Sequence, residues 1–251
     1  MNAGAVVVVG GTGGLGQEVA RHYLDQGREV VISGRDRDRA AAVAAELERQ
    51  VHDLRSGPAG RSGPGQGGGK ARGIALELTA LDQIGPALAE VGPVDQLVLS
   101  AIDRGSTTVD DFHTGQAASL AVQKLVGYVE VVHALRSRLS DSSAIVVFGG
   151  QARVRPYPGS TMVSTVNGGV VGMVRTLSVE LAPIRVNSIH PGIVGDSPFW
   201  ADKPAQVLEA FRSGTLTGRL AAMADVVGAV AFLLENRSVN GVDLVVDGGW
   251  R

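Results

Sequence analysis

The strongest constraint on the fold lies near the start of the chain, where residues 6–16 read VVVVGGTGGLG. Four successive valines predict a short strand buried on both faces, which is typical of a parallel sheet. A glycine-rich turn follows at once, and Leu15–Gln26 then places apolar residues at helical spacing. A strand that passes through a tight turn into a helix predicts the first half of a βαβ unit.

The same alternation continues along the rest of the chain. Strands that alternate with helices imply right-handed crossovers and a parallel sheet with helices on both faces. We therefore predict a single-domain α/β fold, a Rossmann-type doubly wound parallel sheet, over residues 1–251. The predicted strands are Ala5–Val9, Glu29–Ser33, Ile74–Leu78, Gln96–Ser100, Ala144–Phe148, Ile184–His190 and Asp243–Val246, and the predicted helices are Leu15–Gln26, Asp36–Val51, Leu81–Val91, Phe112–Leu139, Thr161–Leu181 and Ala224–Leu234.

One segment interrupts this alternation. Residues 52–73 contain mostly Gly, Ser, Pro and Arg and show no periodicity, which predicts a flexible surface loop. A loop of this length inside a compact domain is either a tolerated insertion or a functional segment. We favour the insertion.

Composition limits the classes of function. A formal net charge of −2 over 251 residues gives no electrostatic case for nucleic acid or an anionic membrane as a partner. No apolar run is long enough to span a bilayer, and the first residues lack the cationic region of a signal peptide. The absence of cysteine excludes disulfides and a thiol nucleophile. We expect a cytoplasmic, bacterial protein that acts on a small-molecule substrate and has no metal site.

The glycine-rich turn matches two phosphate-binding patterns, G-x-G-x-x-G at Gly11, Gly13 and Gly16, and G-x-x-x-G-x-G at Gly10, Gly14 and Gly16. Glycine permits positive φ angles and lets a pyrophosphate approach the backbone closely. The helix that follows directs free N–H groups and the positive end of its dipole at such an anion. The context of strand, turn and helix predicts dinucleotide binding. The expected contacts are Gly10, Thr12, Gly14, Leu15 and Gly16.

The end of the second predicted strand bears on which dinucleotide binds. NAD sites place an Asp or Glu there to hold the ribose 2′-hydroxyl. This chain has Ser33 and Gly34, followed by Arg35, and a guanidinium beside small residues suits a 2′-phosphate. Asp36 is the alternative acid for an NAD site. We favour NADP over NAD, with Arg35 as the contact.

Motifs along nearly the whole chain resemble those of the short-chain dehydrogenase/reductase family. The turn resembles that family's TGxxxGxG loop, with Val9 in place of Thr. IRVNSIHPGIV at 184–194 resembles its IRVNxxxPGxV, and VNGVDLVVDGG at 239–249 resembles its terminal TGxxxxVDGG. The resemblance implies an oxidoreductase that forms homodimers or homotetramers through its two long helices. It also implies cofactor contacts at Glu77, Leu78, Ser100, Ala101, Pro191, Gly192 and Val194.

The family's catalytic residues do not carry over. Members use a Ser after the fifth strand, a YxxxK pair on the next helix and an Asn on the long helix before it. The matching positions here hold Gly150, Val163, Asn167 and Lys124, respectively. No tyrosine in the chain has a lysine four residues later. The Tyr that would exchange a proton with the substrate oxygen is therefore missing.

Two residues are candidates to replace it. Lys124 is expected to point inward, where a lysine is costly unless it is paired or functional; the alternative is a side chain that snorkels to solvent. Tyr157 precedes the helix and could swing into the pocket, although an aromatic that packs in the turn between two prolines is the simpler interpretation. Arg153 and Arg155 alternate after the fifth strand and either clamp an anionic substrate or are solvated.

These observations favour an NADP(H)-binding oxidoreductase with a divergent active site and a small or medium carbonyl or alcohol substrate. Two alternatives stay open. One is a non-redox enzyme, such as an isomerase, lyase or cyclase, that uses the same pocket. The other is a non-catalytic dinucleotide sensor or partner subunit.

Overall fold

The sheet confirms the predicted fold class. The computed structural model describes residues 4–56, 68–103, 105 and 108–251. In this part of the chain seven parallel strands form one sheet in the order β3-β2-β1-β4-β5-β6-β7. The strand order reverses between β1 and β4, which is where ligands bind in open α/β sheets. The strands are β1 (Ala5–Val9), β2 (Val30–Gly34), β3 (Ala71–Ala75), β4 (Val94–Leu99), β5 (Leu139–Phe148), β6 (Arg185–Pro191) and β7 (Asp243–Val246).

Helices cover both faces of the sheet. Alternate valines of β1 belong to the two cores: Val6 and Val8 pack under α1, α2 and α9, whereas Val7 and Val9 pack under α3, α5 and α6. No helix in the described ranges is both long and apolar enough to cross a membrane. The helices are α1 (Gly14–Asp25), α2 (Arg37–Ser56), α3 (Leu81–Leu88), α4 (Thr114–Ala121), α5 (Tyr128–Leu135), α6 (Thr161–Glu180), α7 (Pro198–Ala201), α8 (Ala205–Ser213) and α9 (Met223–Glu235).

The segment 52–73 differs from the prediction at both ends. Helix α2 continues to Ser56, and β3 already begins at Ala71. Residues 57–67 lie outside the described residues. Strand β3 starts earlier than the predicted Ile74 because the backbone of β2 pairs with Ala71–Ala75. The position of this edge strand is determined by its hydrogen bonds to β2 and not by its own apolar residues.

The predicted helix Phe112–Leu139 is divided. It begins as α4 at Thr114, continues through a π-helical segment at Val122–Gly127, and ends with α5 at Leu135. Leu139 already belongs to β5, where it pairs with Val94. The Ser143 hydroxyl supports this early part of β5 by donating a hydrogen bond of 2.7 Å to the Val94 carbonyl.

Candidate cofactor and active site

A cavity of about 1260 Å³ opens along the carboxyl ends of the strands, at the point where the strand order reverses. Every residue that the sequence predicted as a cofactor contact lines this cavity, and so do Lys124 and Tyr157. The three residues that the sequence resemblance matched to the family's Ser, Tyr and Lys also line it: Gly150, Val163 and Asn167. The fold therefore brings the glycine-rich turn and these three residues into one space.

The glycine-rich turn lies between β1 and α1. Gly10 and Gly14 have φ angles of +85° and +51°, which favour glycine. A Cβ atom on Gly16 would lie 2.4 Å from the Gly10 carbonyl oxygen. Gly13 has extended backbone, and a Cβ there would meet no atom within 4 Å. The geometry thus requires glycine in the pattern Gly10, Gly14 and Gly16.

The same turn fits a dinucleotide diphosphate. Helix α1 begins at Gly14 and has no side-chain cap, so its first N–H groups are available to an anion. A Cβ on Gly13 or Gly14 would meet no atom within 4 Å, which shows that bare backbone faces open space. A ligand can therefore approach these amides closely.

Two arginines beside the end of β2 line the cavity, Arg35 and Arg39. The Arg35 side chain is 66% exposed and pairs with Asp103, with 3.1 Å between Nη1 and Oδ2. An ion pair this exposed contributes little and can exchange for a ligand phosphate. The neighbouring carboxylate of Asp36 is engaged, because its Oδ1 accepts a 2.7 Å hydrogen bond from the Arg39 amide and caps α2.

The loop after β3 contains Glu77 and Leu78, which were predicted as the end of that strand. The Glu77 Oε1 accepts hydrogen bonds from both the amide and the hydroxyl of Thr79, at 3.0 and 2.7 Å. A Cβ on Gly127 would lie 2.4 Å from the Leu78 carbonyl oxygen. The backbone of the π-helical segment therefore lies so close to the backbone of this loop that position 127 has no room for a side chain.

The loop after β4 is held by hydrogen bonds from both sides. The Ser100 hydroxyl donates to the Val9 carbonyl at 2.9 Å, and the Tyr128 hydroxyl donates to the Ala101 carbonyl. Burial raises the pKa of Tyr128 far above its ordinary value, so this hydroxyl stays protonated. Tyr128 is therefore a structural donor.

Lys124 and Asn167 meet at the part of the cavity where the family resemblance implies the catalytic residues, which we call the reacting end. The Lys124 Nζ donates a 2.9 Å hydrogen bond to the Asn167 Oδ1, and the two residues are only 1% and 2% exposed. A Cβ on Gly150 would lie 2.8 Å from the Asn167 Nδ2. The asparagine thus occupies space that a side chain at position 150 would need.

The π-helical segment explains how Lys124 faces inward. Wider i→i+5 turns of this kind are rare and are found frequently at functional sites. Here the segment buries Gln123, Lys124 and Gly127. The Gln123 Oε1 also accepts a 3.0 Å hydrogen bond from the Asp103 amide, which anchors the loop after β4. The snorkelling alternative for Lys124 is excluded by its burial.

Tyr157 is exposed, whereas His190 is buried. Tyr157 lies on the rim of the cavity and is 56% exposed. His190 is fully buried, and its Nδ1 accepts a 3.1 Å hydrogen bond from the Gly150 amide. Burial, together with the nearby positive charge of Arg153, lowers the pKa of His190 to about 4. The neutral imidazole therefore supports the loop after β5 and does not exchange protons near neutral pH.

An aromatic surface at the far end of the cavity was missed by sequence reasoning. The chain has five Phe, three Tyr and two Trp, and six of these ten line the cavity. Consecutive rings lie 5.2, 5.3 and 5.7 Å apart, edge to face. We call these four residues the aromatic wall: Phe199, Trp200, Phe211 and Trp250. The available signal was the aromatic content of residues 199–250, which has no periodicity of its own.

Arg155 lies beside this wall. Its guanidinium carbon is 5.4 Å from the centroid of the Trp250 ring, and Arg155 lines the cavity whereas Arg153 does not.

The Asp196 carboxylate accepts a 2.8 Å hydrogen bond from the Met223 amide at the start of α9. That carboxylate is outside the cavity lining, so it does not oppose a bound anion.

Comparisons with known proteins agree with this geometry. Residues 81–251 match the family described as Enoyl-(Acyl carrier protein) reductase, and residues 4–56 match the family described as short chain dehydrogenase. The short-chain dehydrogenase/reductase ucsE of Acremonium sp. is 28% identical over 97% of this chain and 94% of its own length. The 3-oxoacyl-[acyl-carrier-protein] reductase of Mus musculus is 27% identical over 96% of this chain and 95% of its own. A solved structure titled as a putative betaketoacyl-ACP reductase superposes with a TM-score of 0.81 at 26% identity, over 99% of this chain and 98% of its own. The chain belongs to the short-chain dehydrogenase/reductase family of oxidoreductases.

Proposed function

We propose that this protein binds NADP(H) in the cavity and interconverts a carbonyl and an alcohol, with Lys124 in place of the tyrosine as the proton donor. The observation that carries the proposal is the single cavity, which joins the open glycine-rich turn to the buried pair of Lys124 and Asn167. When bound, the nicotinamide dinucleotide supplies or accepts the hydride. Relatives named as reductases over nearly the full length support this reaction class.

The preference for NADP over NAD is proposed from the end of β2. Arg35 is an exposed cation at that place, its partner Asp103 is itself exposed, and Arg39 is a second exposed arginine of the lining. The carboxylate of Asp36, the acid that an NAD site would use, already accepts the Arg39 amide hydrogen bond that caps α2. A 2′-phosphate would gain the guanidinium of Arg35 as a charge-assisted donor.

The proton chemistry is proposed from the contact between Lys124 and Asn167. Reduction of a carbonyl adds a hydride to carbon and a proton to oxygen. A protonated Lys124 holds that proton at Nζ, and Asn167 orients the nitrogen through its Oδ1 acceptor. Positioned acids of this kind contribute about 10²–10⁴-fold to a rate. Tyr157, on the rim of the cavity, is the second candidate donor.

Cofactor titration tests the binding half of the proposal. We expect calorimetry to show tighter binding of NADPH than of NADH. Arg35→Gln should weaken NADPH binding about tenfold and leave NADH within about twofold, because one charge-assisted contact is lost. Arg37→Gln is the matched control, since Arg37 is an exposed arginine at the start of α2 that does not line the cavity. Binding of neither dinucleotide would overturn the proposal.

Turnover tests the catalytic half. We expect NADPH to be consumed with a reactive 1,2-diketone, and Lys124→Met to lose that activity while it still binds NADPH. A non-redox enzyme would instead convert its substrate with NADPH unchanged, and Lys124→Met would stop that conversion too. A sensor would bind NADPH without turnover in either form. Full activity of the folded Lys124→Met variant would assign the proton to another residue, with Tyr157→Phe as the next test.

A further inference from the structure

The aromatic wall and Arg155 are not used by the proposed chemistry, although they line the same cavity. We propose that the substrate of this protein is a planar aromatic compound that carries an anionic group, with its ring on the aromatic wall and its anion on Arg155. The proposal deepens the proposed function and rests on it for the reaction. Binding of such a compound can be tested independently of the cofactor.

The aromatic wall offers ring surface to a ligand. Both tryptophans of the chain belong to it, and Trp200, Phe211 and Trp250 are only partly buried. The angles between consecutive ring planes are 86°, 75° and 72°. Faces and edges of aromatic rings are both preferred partners of another aromatic ring, so an aromatic ligand can pack against such a series. An aliphatic substrate would use only the apolar area and not this geometry.

The wall is fixed before any ligand binds. Gly248 has a φ angle of +69°, which turns the chain after β7 back toward α8. The Thr217 amide then donates to the Gly248 carbonyl at 3.1 Å, and the Arg251 amide donates to the Gly214 carbonyl at 3.0 Å. A Cβ on Gly214 would lie 3.2 Å from the Trp250 indole, so glycine makes room for the ring. A preformed surface of this kind spends little of the binding energy on ordering side chains.

Arg155 supplies the charge beside the wall. Among the residues that the structure describes, no carboxylate forms an ion pair with its guanidinium. The three carboxylates that line the cavity belong to Asp36, Glu77 and Asp103, which follow β2, β3 and β4 at the cofactor end. The lining carboxylates thus lie at the cofactor end, and Arg155 brings to the aromatic wall a fork of donors that matches a carboxylate.

The loop that carries Arg155 is also anchored. The Gln151 Nε2 donates a 2.6 Å hydrogen bond to the Asp247 Oδ2, and Asp247 in turn accepts a hydrogen bond of 2.8 Å from the Gly249 amide. The loop after β5 and the turn that positions Trp250 are thus tied to each other. Ring surface and charge are held at a fixed separation, which favours ligands that present both groups together.

Three probes separate the parts of this inference. We would titrate 2-naphthoate, methyl 2-naphthoate and cyclohexanecarboxylate into the protein by calorimetry, with and without saturating NADP⁺. The naphthoate has ring and charge, the ester has the ring alone, and the cyclohexane acid has the charge alone. We expect the naphthoate to bind at least about tenfold more tightly than either other probe.

Variants assign the two contacts. Arg155→Gln should weaken naphthoate binding about tenfold and leave the ester within about twofold, because only the charged contact is lost. Trp250→Leu should weaken naphthoate and ester alike. Lys203→Gln is the matched control, since Lys203 lies 4.7 Å over the Phe199 ring but does not line the cavity. Retained NADPH affinity in each variant shows that the cofactor end is intact.

The outcomes distinguish this inference from the proposed function. The proposed substrate class would be overturned by equal affinity for all three probes. It would also be overturned if naphthoate binding were unchanged in Arg155→Gln and Trp250→Leu. In either case, retained NADPH binding would leave the proposed function standing. Naphthoate binding with the expected variant pattern in a protein that binds no dinucleotide would support the inference and overturn the proposed function.

Discussion

The two ends of the cavity place different demands on the sequence. At the glycine-rich turn the demand is on the backbone, because Gly10 and Gly14 have positive φ and Gly16 lies against the Gly10 carbonyl. At the reacting end the demand is on side chains, because the buried Lys124 and Asn167 are joined by a hydrogen bond. The difference teaches that a demand on the backbone leaves a local pattern in the sequence, whereas a contact between two distant side chains does not.

The largest effect is expected at the reacting end. Asn167→Lys introduces the lysine that the family resemblance implies for this position, but it puts a second lysine where Asn167 now accepts a 2.9 Å hydrogen bond from the buried Lys124. We expect a loss of ~3–5 kcal/mol in the free energy of unfolding, because a buried charge loses its partner and gains a like charge. Urea denaturation followed by circular dichroism measures this.

The exchange variant is the control. Lys124→Asn together with Asn167→Lys returns one lysine and one asparagine to the same site, in the order that the family uses. We expect the double variant to recover most of the lost stability, since the two residues are in direct contact and their effects are not additive. A double variant that is no more stable than Asn167→Lys alone would show that the site is not a simple pair.

The second effect is a loss of stability at acid pH, and it comes from His190, which supports the loop after β5. The pKa of His190 is lowered to about 4 in the folded protein, from an ordinary value of 6.5. Between these two values the unfolded chain takes up a proton that the folded chain does not, so folding stability is full above pH 6.5 and falls as the pH drops toward 4. The free energy of unfolding decreases by roughly 3 kcal/mol over this pH range.

His190→Asn keeps a hydrogen-bond acceptor for the Gly150 amide and removes the titrating ring. Unfolding free energies of both proteins between pH 7 and pH 4.5 isolate the contribution of this histidine. We expect the wild-type protein to lose more stability than the variant over this range. Parallel curves for the two proteins would show that His190 titrates normally.

The third effect is at the glycine-rich turn. Gly16→Ala places a Cβ atom 2.4 Å from the Gly10 carbonyl oxygen, so the turn or the start of α1 must shift. We expect a loss of about 2 kcal/mol in stability and a large loss of NADPH affinity, because the backbone itself forms the site. Thermal unfolding and calorimetry measure the two effects.

Gly172→Ala provides the contrasting glycine and the smallest effect. Gly172 is an exposed residue within α6, and a Cβ there would meet no atom within 4 Å. The substitution should stabilise the protein by about 0.5–1 kcal/mol through helix propensity and leave cofactor binding unchanged. Destabilisation by Gly172→Ala would mean that this face of α6 is covered in the native protein.

Patterns that depend on neighbouring residues were read correctly from the sequence. The four valines and the glycine-rich turn give β1 and α1 close to their predicted bounds, because burial and backbone conformation are both encoded locally. β3 was displaced, since its pairing with β2 determines where this edge strand begins. The early start of β5 was missed because the serines after Leu139 have low strand propensity, and the pairing with β4 overrides it.

The same difference between local patterns and contacts of distant residues applies to the site. The cofactor contacts were predicted from motifs, and they all line the cavity. The contact between Lys124 and Asn167 was not predicted, since the two residues are far apart in the chain and meet only when α6 packs beside the π-helical segment. The aromatic wall was missed for the same reason: α7, α8 and the segment after β7 each contribute only one or two of its rings.

The π-helical segment at Val122–Gly127 has a consequence for how this enzyme class can diversify. Each π turn holds one residue more than the corresponding α turn, so the helical phase before the segment differs from the phase after it. Deletion of one residue here would rotate Gln123 and Lys124 relative to α5 and replace them at the cavity with their sequence neighbours. The side chains that this segment presents to the cavity are therefore open to change by insertions and deletions as well as by substitutions.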